Sequence, residues 1–171
     1  MTEHFPGRPD TRSLRIRRAV RAILLTPDGY VLLVRFEFPR GTVWALPGGG
    51  LDGDETHVDA LHRELAEEVG LRGAVIGPYV WDRLHVIPIG DGTWDGQTDR
   101  YHLVEVHERF DPTPDMTWEQ LRAESLHELR WWHLDEIAAD TDRRFAPGRL
   151  AELLRELIAH GPPPRPVDTG I

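Results

Sequence analysis

The chain has 171 residues, 40% hydrophobic and 29% charged, with a formal net charge of −9. That length suits one domain with a substantial core, and the acidity argues against broad nucleic-acid affinity. Cysteine is absent and all 20 basic residues are arginine, which excludes disulfides, a thiol nucleophile, zinc–thiolate sites and any Schiff-base or phosphate-loop lysine.

Residues 1–13 are polar, lack the apolar stretch of a secretory signal and read as a mobile tail, which could fold over a dimer partner. No apolar run approaches the ~20 residues of a membrane span, so a cytoplasmic protein with no membrane partner is expected. Leu14 to Leu25 reads as a strand with Arg15, Arg17 and Arg21 between apolar residues. Such an arginine row suits either phosphate contact or plain solvation. Thr26-Pro27-Asp28-Gly29 forms a turn, because proline presets φ and glycine accepts positive φ. It joins the first strand to Tyr30–Phe36 as a hairpin. The run Val31-Leu32-Leu33-Val34 predicts burial on both faces. Phe36, Phe38 and Trp44 bracket a loop over 37–42, where aromatics either stack on a nucleobase or complete a core. Arg21, Arg35 and Trp44 are the candidate substrate contacts.

Gly48-Gly49-Gly50 allows close backbone approach to a ligand. A helix follows, capped by Thr56 with Asp59 three residues on, its apolar stripe made by Val58, Leu61, Leu65 and Val69. Glu64, Glu67 and Glu68 crowd a neighbouring face at i, i+3 and i+4. Like charges so placed cost about 0.2–0.5 kcal/mol per pair. Arg63 can offset this through Glu67, and Arg72 through Glu68. A solvated acidic face is one reading. A hard divalent cation held by the carboxylates is the other.

The spacing from Gly49 to Leu71 is Gly-x5-Glu-x7-Arg-Glu-aliphatic-x-Glu-Glu-x-Gly-aliphatic. It resembles the Nudix box of the Nudix hydrolases at every specified position, and Trp44 to Gly50 resembles the family's lead-in. The looser resemblance runs from about Leu14 to His160. It implies an α/β fold, an α/β/α sandwich around a mixed β-sheet. It implies Mg²⁺ or Mn²⁺ held by Glu64, Glu67, Glu68 and the Gly48 carbonyl, with Glu55 in support. Arg63, pointing off the carboxylate face, would orient a glutamate by an ion pair. Glu64, or a later carboxylate such as Glu119 or Glu124, would take a proton from the attacking water.

The remaining elements are strands at Ala74–Ile76, Tyr79–Ile89 and Tyr101–Val106, with glycine-rich 90–96 as a loop. His85, His102 and His107 are too irregularly spaced to suggest a metal site. A proline-containing loop spans Phe110 to Met116, a short helical turn Trp118 to Glu124, and a strand entering a helix Glu128 to Ile137 with Asp135 as N-cap. Leu150, Leu153, Leu154 and Ile158 mark a last helix, and 161–171 read as a frayed proline-rich tail. The domain expected is therefore 14–160. The expected reaction is hydrolysis of a phosphoanhydride in a nucleoside diphosphate linked to X, a small-molecule substrate, by water attacking phosphorus. The alternative is a non-catalytic Nudix-fold sensor. Substrate markers downstream do not choose: the proline that would mark an ADP-ribose pyrophosphatase falls one position late, with Ile87 at the marker position and Pro88 after it.

Overall fold

A computed structural model of the chain describes residues 5–170. Among these, nine strands form one mixed sheet. Strand β1 (Ile16–Leu25) lies at its centre, and β2 (Tyr30–Phe38) returns antiparallel to it across the Thr26–Gly29 turn. The turn closes as its residues dictate: Gly29 takes φ +83° and donates its N–H to the Thr26 carbonyl at 3.1 Å. Strands β3 (Gly41–Ala45) and β7 (Leu126–His133) both pair with β2. The glycine strand β4 (Gly48–Gly50) pairs antiparallel with Ala19–Arg21 of β1. On the other side of β1, β6 (Gly96–Glu105) runs parallel to it, followed by β5 (Tyr79–His85).

Period-two alternation along β1 sends side chains to two cores. Val20, Ala22 and Leu24 pack on helix α1 (His57–Glu64) and its continuation through Ala60, Leu61, Leu65 and Val69. Ile23 and Leu25 pack on the opposite face against helices α3 (Leu134–Ala139) and α4 (Leu150–His160). Helices on both faces of a mixed sheet are the α/β/α sandwich expected. A third, small cluster seats helix α2 (Trp118–Ala123) on Val34 and Leu126 through Leu121.

Several elements differ from the sequence reading. Ala74–Ile76 forms no strand: Val75 is exposed, while Ala74 and Ile76 pack individually against the α1 core. The strand from Tyr79 stops at His85, leaving only an isolated bridge between Ile89 and Trp94. Strand β6 starts at Gly96 rather than Tyr101, because ladder bonds to β1 continue to Ile16 opposite Gly96 and outweigh a turn-prone composition. Likewise β2 runs on to Phe38 through its pairing with β3. The cap of α3 is His133, not Asp135: its Nδ1 accepts from the Asp135 N–H at 3.2 Å, and Glu136 accepts from the His133 N–H at 2.9 Å.

The C-terminal segment is not frayed. Val167–Asp168 forms a short strand, β9, parallel to β5, and Thr169 is buried with its N–H on the Asp82 carbonyl. Arg8 clamps both ends of the chain, gripping Asp168 bidentately at 2.9 Å and also bonding Asp82. Of the expected N-terminal tail, residues 1–4 lie outside those described. Edge strands attract covers of this kind because their N–H and C=O groups are otherwise unpaired. Among the described residues, no helix is long and apolar enough to cross a membrane.

Candidate active site

The site grows from the end of α1. Thr56 and Asp59 make the capping box expected. The α-helix then gives way to a π-helical segment, Leu65–Val69, ended by Gly70 in the left-handed conformation. The sequence reading of a uniform ~100° per residue missed this change of pitch. Single π-turns often mark functional positions. Here the segment keeps Leu65 and Val69 in the core while Glu64 and Glu68 turn inward, only 7% and 3% exposed. Val58, by contrast, drops out of the apolar stripe and is exposed. Carbonyls at a helix end lack partners within the helix, although Ala66 here also accepts from the Gly70 N–H at 3.1 Å. The loop before α2 satisfies them: Asp115, Met116 and Thr113 donate N–H groups to Ala66, Glu67 and Val69 at 3.2, 3.1 and 3.0 Å.

Arg63 reaches into the carboxylates rather than away from them. Its Nε and Nη2 grip Glu55 at 2.8 and 2.9 Å, Nη2 also meets the Gly50 carbonyl at 2.9 Å, and Nη1 meets Glu64 at 2.8 Å and Glu67 at 3.3 Å. A planar guanidinium suits this multiple grip, which an ammonium does not reproduce. The hydrogen bonds from Arg63 pull the Glu55 carboxyl down to about 2. Arg72 does not offset Glu68 as expected; it pairs with Asp115.

Glu64 and Glu68 experience the opposite balance. Burial pushes the Glu64 carboxyl up despite Arg63. Burial, and then the charge of Glu64, push Glu68 up to about 8, against the Gly48 N–H and Arg21. The Gly48 N–H donates to Glu68 at 2.9 Å. The glycines are required here. A Cβ on Gly48, which has φ +131°, would lie 2.2 Å from the Val20 carbonyl oxygen, and one on Gly49 2.3 Å from Glu64 Oε1.

The other candidates are placed as follows. Glu124 caps the C-terminus of α2, close enough for its charge to raise Glu68, whereas Glu119 sits exposed in that helix's first turn. Arg21 is largely buried and committed: it donates to Asp99 at 3.0 Å and to the Gly48 carbonyl at 2.6 Å. Arg35 pairs along the sheet with Glu128 and Glu37. Trp44 is a core residue, edge-on to Trp132 with ring centroids 5.1 Å apart. Of the three proposed substrate contacts, none presents a free side chain to the glutamates. Sequence reasoning missed Gln97 and Asp99, both buried beside Arg21, because they fall between the 90–96 loop and the strand expected from Tyr101 and were given no element.

The carboxylate oxygens and the Gly48 carbonyl are hard donors of the type Mg²⁺ and Mn²⁺ take. Two buried carboxylates with raised affinity for protons leave a deficit of positive charge that a cation would fill. Among the described residues, no group of three or more His, Asp or Glu side chains is already gathered as a metal cage. Arg63 accounts for part of this, since it holds Glu67 beside Glu55.

Residues 15–155 match the family model described as NUDIX domain. The chain belongs to the Nudix family. An RNA pyrophosphohydrolase of a Sulfurovum species is 33% identical over 100 residues, 54% of this chain. The chain spans 64% of that relative's length, less than two thirds. A Mycobacterium tuberculosis protein, whose name provisionally assigns it as an 8-oxo-dGTP diphosphatase, is 36% identical over 116 residues, covering 67% of this chain and 70% of the relative. Among solved structures, the MutT NUDIX hydrolase of Burkholderia pseudomallei superposes with a TM-score of 0.55 at 25% identity, covering 84% of this chain and 98% of that one.

Proposed function

We propose that this Nudix protein hydrolyses a phosphoanhydride in a nucleoside diphosphate derivative, with water attacking phosphorus. One observation carries the reading: Glu64 and Glu68 are buried together against the Gly48–Gly49 backbone with their carboxyls pushed upward. A fold does not bury two adjacent carboxylates for stability, since each costs several kcal/mol without a counter-charge. Perturbed groups of this kind cluster at functional sites. Similarity to an RNA pyrophosphohydrolase and to a protein provisionally named as a diphosphatase supports the same reaction class.

Glu64, Glu67, Glu68 and the Gly48 carbonyl would hold Mg²⁺ or Mn²⁺. A divalent cation bound there supplies charge neutralisation for the diphosphate and lowers the pKa of a coordinated water. Arg63 acts as a positioning residue: it ties Glu64 and Glu67 to Glu55 and to the Gly50 carbonyl, which fixes the carboxylates before substrate arrives. Arg21 holds the Gly48 carbonyl from the opposite face of the sheet. Glu124 is the candidate general base, placed within electrostatic reach of Glu68. With no cysteine or lysine in the chain, the reaction proceeds without a thiol or amine nucleophile.

The test is turnover of a nucleotide panel after exhaustive treatment with EDTA, then after return of Mg²⁺ or Mn²⁺. Activity should vanish and return. Full activity in the chelated protein would remove the glutamates from the role of metal ligands. Binding without turnover across the whole panel would favour a sensor.

A further inference from the structure

The sheet face opposite α1 changes character along its length. From Ile23 and Tyr101 onward it is apolar and covered by α3 and α4. Toward the start of β1 the same face turns polar. Parallel pairing of β1 with β6 and antiparallel pairing of β6 with β5 set three lateral rows: Arg17–Gln97–His85, Ala19–Asp99–Arg83 and Arg21–Tyr101–Trp81. Neighbouring strands are ~4.8 Å apart, so side chains in these rows meet. Arg17 donates to Gln97 at 2.9 Å, and Gln97 to Asp99 at 2.8 Å.

The charges in this network do not balance. Three guanidiniums share one carboxylate, Asp99, and Arg21 takes it at 3.0 Å. Among the described residues, neither Arg17 nor Arg83 has a carboxylate at ion-pair distance. Both are half-buried, and Arg83 Nε is buried with no hydrogen-bond partner, as is His85 Nε2. A chain with 29 acidic and 20 basic residues has ample carboxylates to neutralise two arginines. Leaving them uncompensated in a partly desolvated face keeps a positive field there. The field lies against the candidate active site. A Cβ on Gly50 would lie 2.5 Å from Arg17 Nη2, while the Gly50 carbonyl accepts from Arg63. One glycine therefore separates Arg17 from the residue that organises the glutamates.

We propose that the face bounded by Arg17, Arg83 and His85 binds an anionic group of the substrate, a phosphate beyond the diphosphate whose anhydride is presented to Glu64 and Glu68. The site thus favours polyphosphate substrates, such as nucleoside triphosphates or 5′-triphosphate ends, over nucleotide sugars, which carry a neutral sugar where a triphosphate carries its third phosphate. Arg17 and Arg83 supply the charge and the fork-shaped donors that phosphate oxygens match. Gln97, itself held by Asp99, fixes Arg17 from below. This specificity rests on the hydrolase reading, but the anion site itself does not need turnover.

Two measurements separate the two ideas. The first is calorimetric titration of inorganic tripolyphosphate into the full chain in EDTA, where no hydrolysis occurs. Wild type should bind saturably, and Arg17→Gln and Arg83→Gln should each weaken binding about tenfold or more, as expected for one lost charge-assisted hydrogen bond. Arg17→Lys, which keeps the charge but not the fork, should lose less affinity than Arg17→Gln, and Arg143→Gln, an exposed arginine elsewhere, should lose none. Thermal melts of each variant confirm folding, and Arg17→Lys keeps the test decisive if a glutamine variant melts early. No saturable binding by wild type, or equal loss in Arg143→Gln, overturns the site. The second is kcat/KM on a nucleoside triphosphate against a nucleotide sugar. The glutamine variants should lose about tenfold on the first and less than about twofold on the second. Equal losses on both would make these arginines structural.

Discussion

Replacing Glu68 by glutamine should stabilise the metal-free protein while abolishing most of its activity. The carboxyl ordinarily loses its proton near 4.5, and burial beside Glu64 raises it to about 8 in the fold. Below 4.5 both folded and unfolded states hold the proton, and the residue is neutral in its effect. As pH rises, the unfolded chain ionises first while the fold resists, so stability falls between about 4.5 and 8. Each pKa unit is worth ~1.4 kcal/mol, which makes the penalty of order 3 kcal/mol at pH 7. Glutamine has nearly the same shape, can still accept from the Gly48 N–H and never ionises. The variant should therefore melt roughly 5–10 °C above wild type in EDTA at pH 7, a gap expected for a domain of this size. At pH 4.5 the two should melt together. Differential scanning calorimetry across that range reads the effect directly. In the same variant kcat should fall at least ~10²-fold. Equal melting temperatures at every pH would refute the claim that the fold carries an uncompensated buried carboxylate.

Arg63→Lys keeps the charge but not the fork that holds Glu55, Glu64, Glu67 and Gly50 together; kcat should fall about tenfold or more with a folded far-UV spectrum retained. Gly49→Ala places a Cβ 2.3 Å from Glu64 Oε1, so Glu64 must swing aside; activity should drop with a modest loss of stability. Gly48→Ala meets the Val20 backbone instead, which cannot yield, and should be destabilised by several kcal/mol by urea denaturation. Deleting residues after His160 removes β9 and the Asp168 half of the Arg8 clamp, so the truncated chain should melt roughly 4–8 °C lower, from a loss of about 2 kcal/mol. An unchanged melting temperature would return that segment to the status of a loose tail.

The sequence by itself determined the family, through the fixed spacing of the box, and the presence of a carboxylate helix, through local periodicity; the sandwich followed from the family resemblance. The stripe Leu61, Leu65 and Val69 and the box from Gly49 to Leu71 need no knowledge of distant partners. The turn Thr26–Gly29 is equally local. What only the tertiary structure decided depends on groups far apart in the chain. The π-helical pitch at Leu65–Val69 depends on N–H groups lent by Thr113, Asp115 and Met116. The start of β6 at Gly96 depends on a ladder with β1. The order of the last residues depends on β5 and Arg8. The fate of the arginine row is the sharpest case. Alternation placed Arg17 and Arg21 on one face, but their roles were set by strand order, which put buried Asp99 beside Arg21 and a neutral amide beside Arg17. An ion pair is a property of two positions, and one-dimensional pattern shows only one of them at a time.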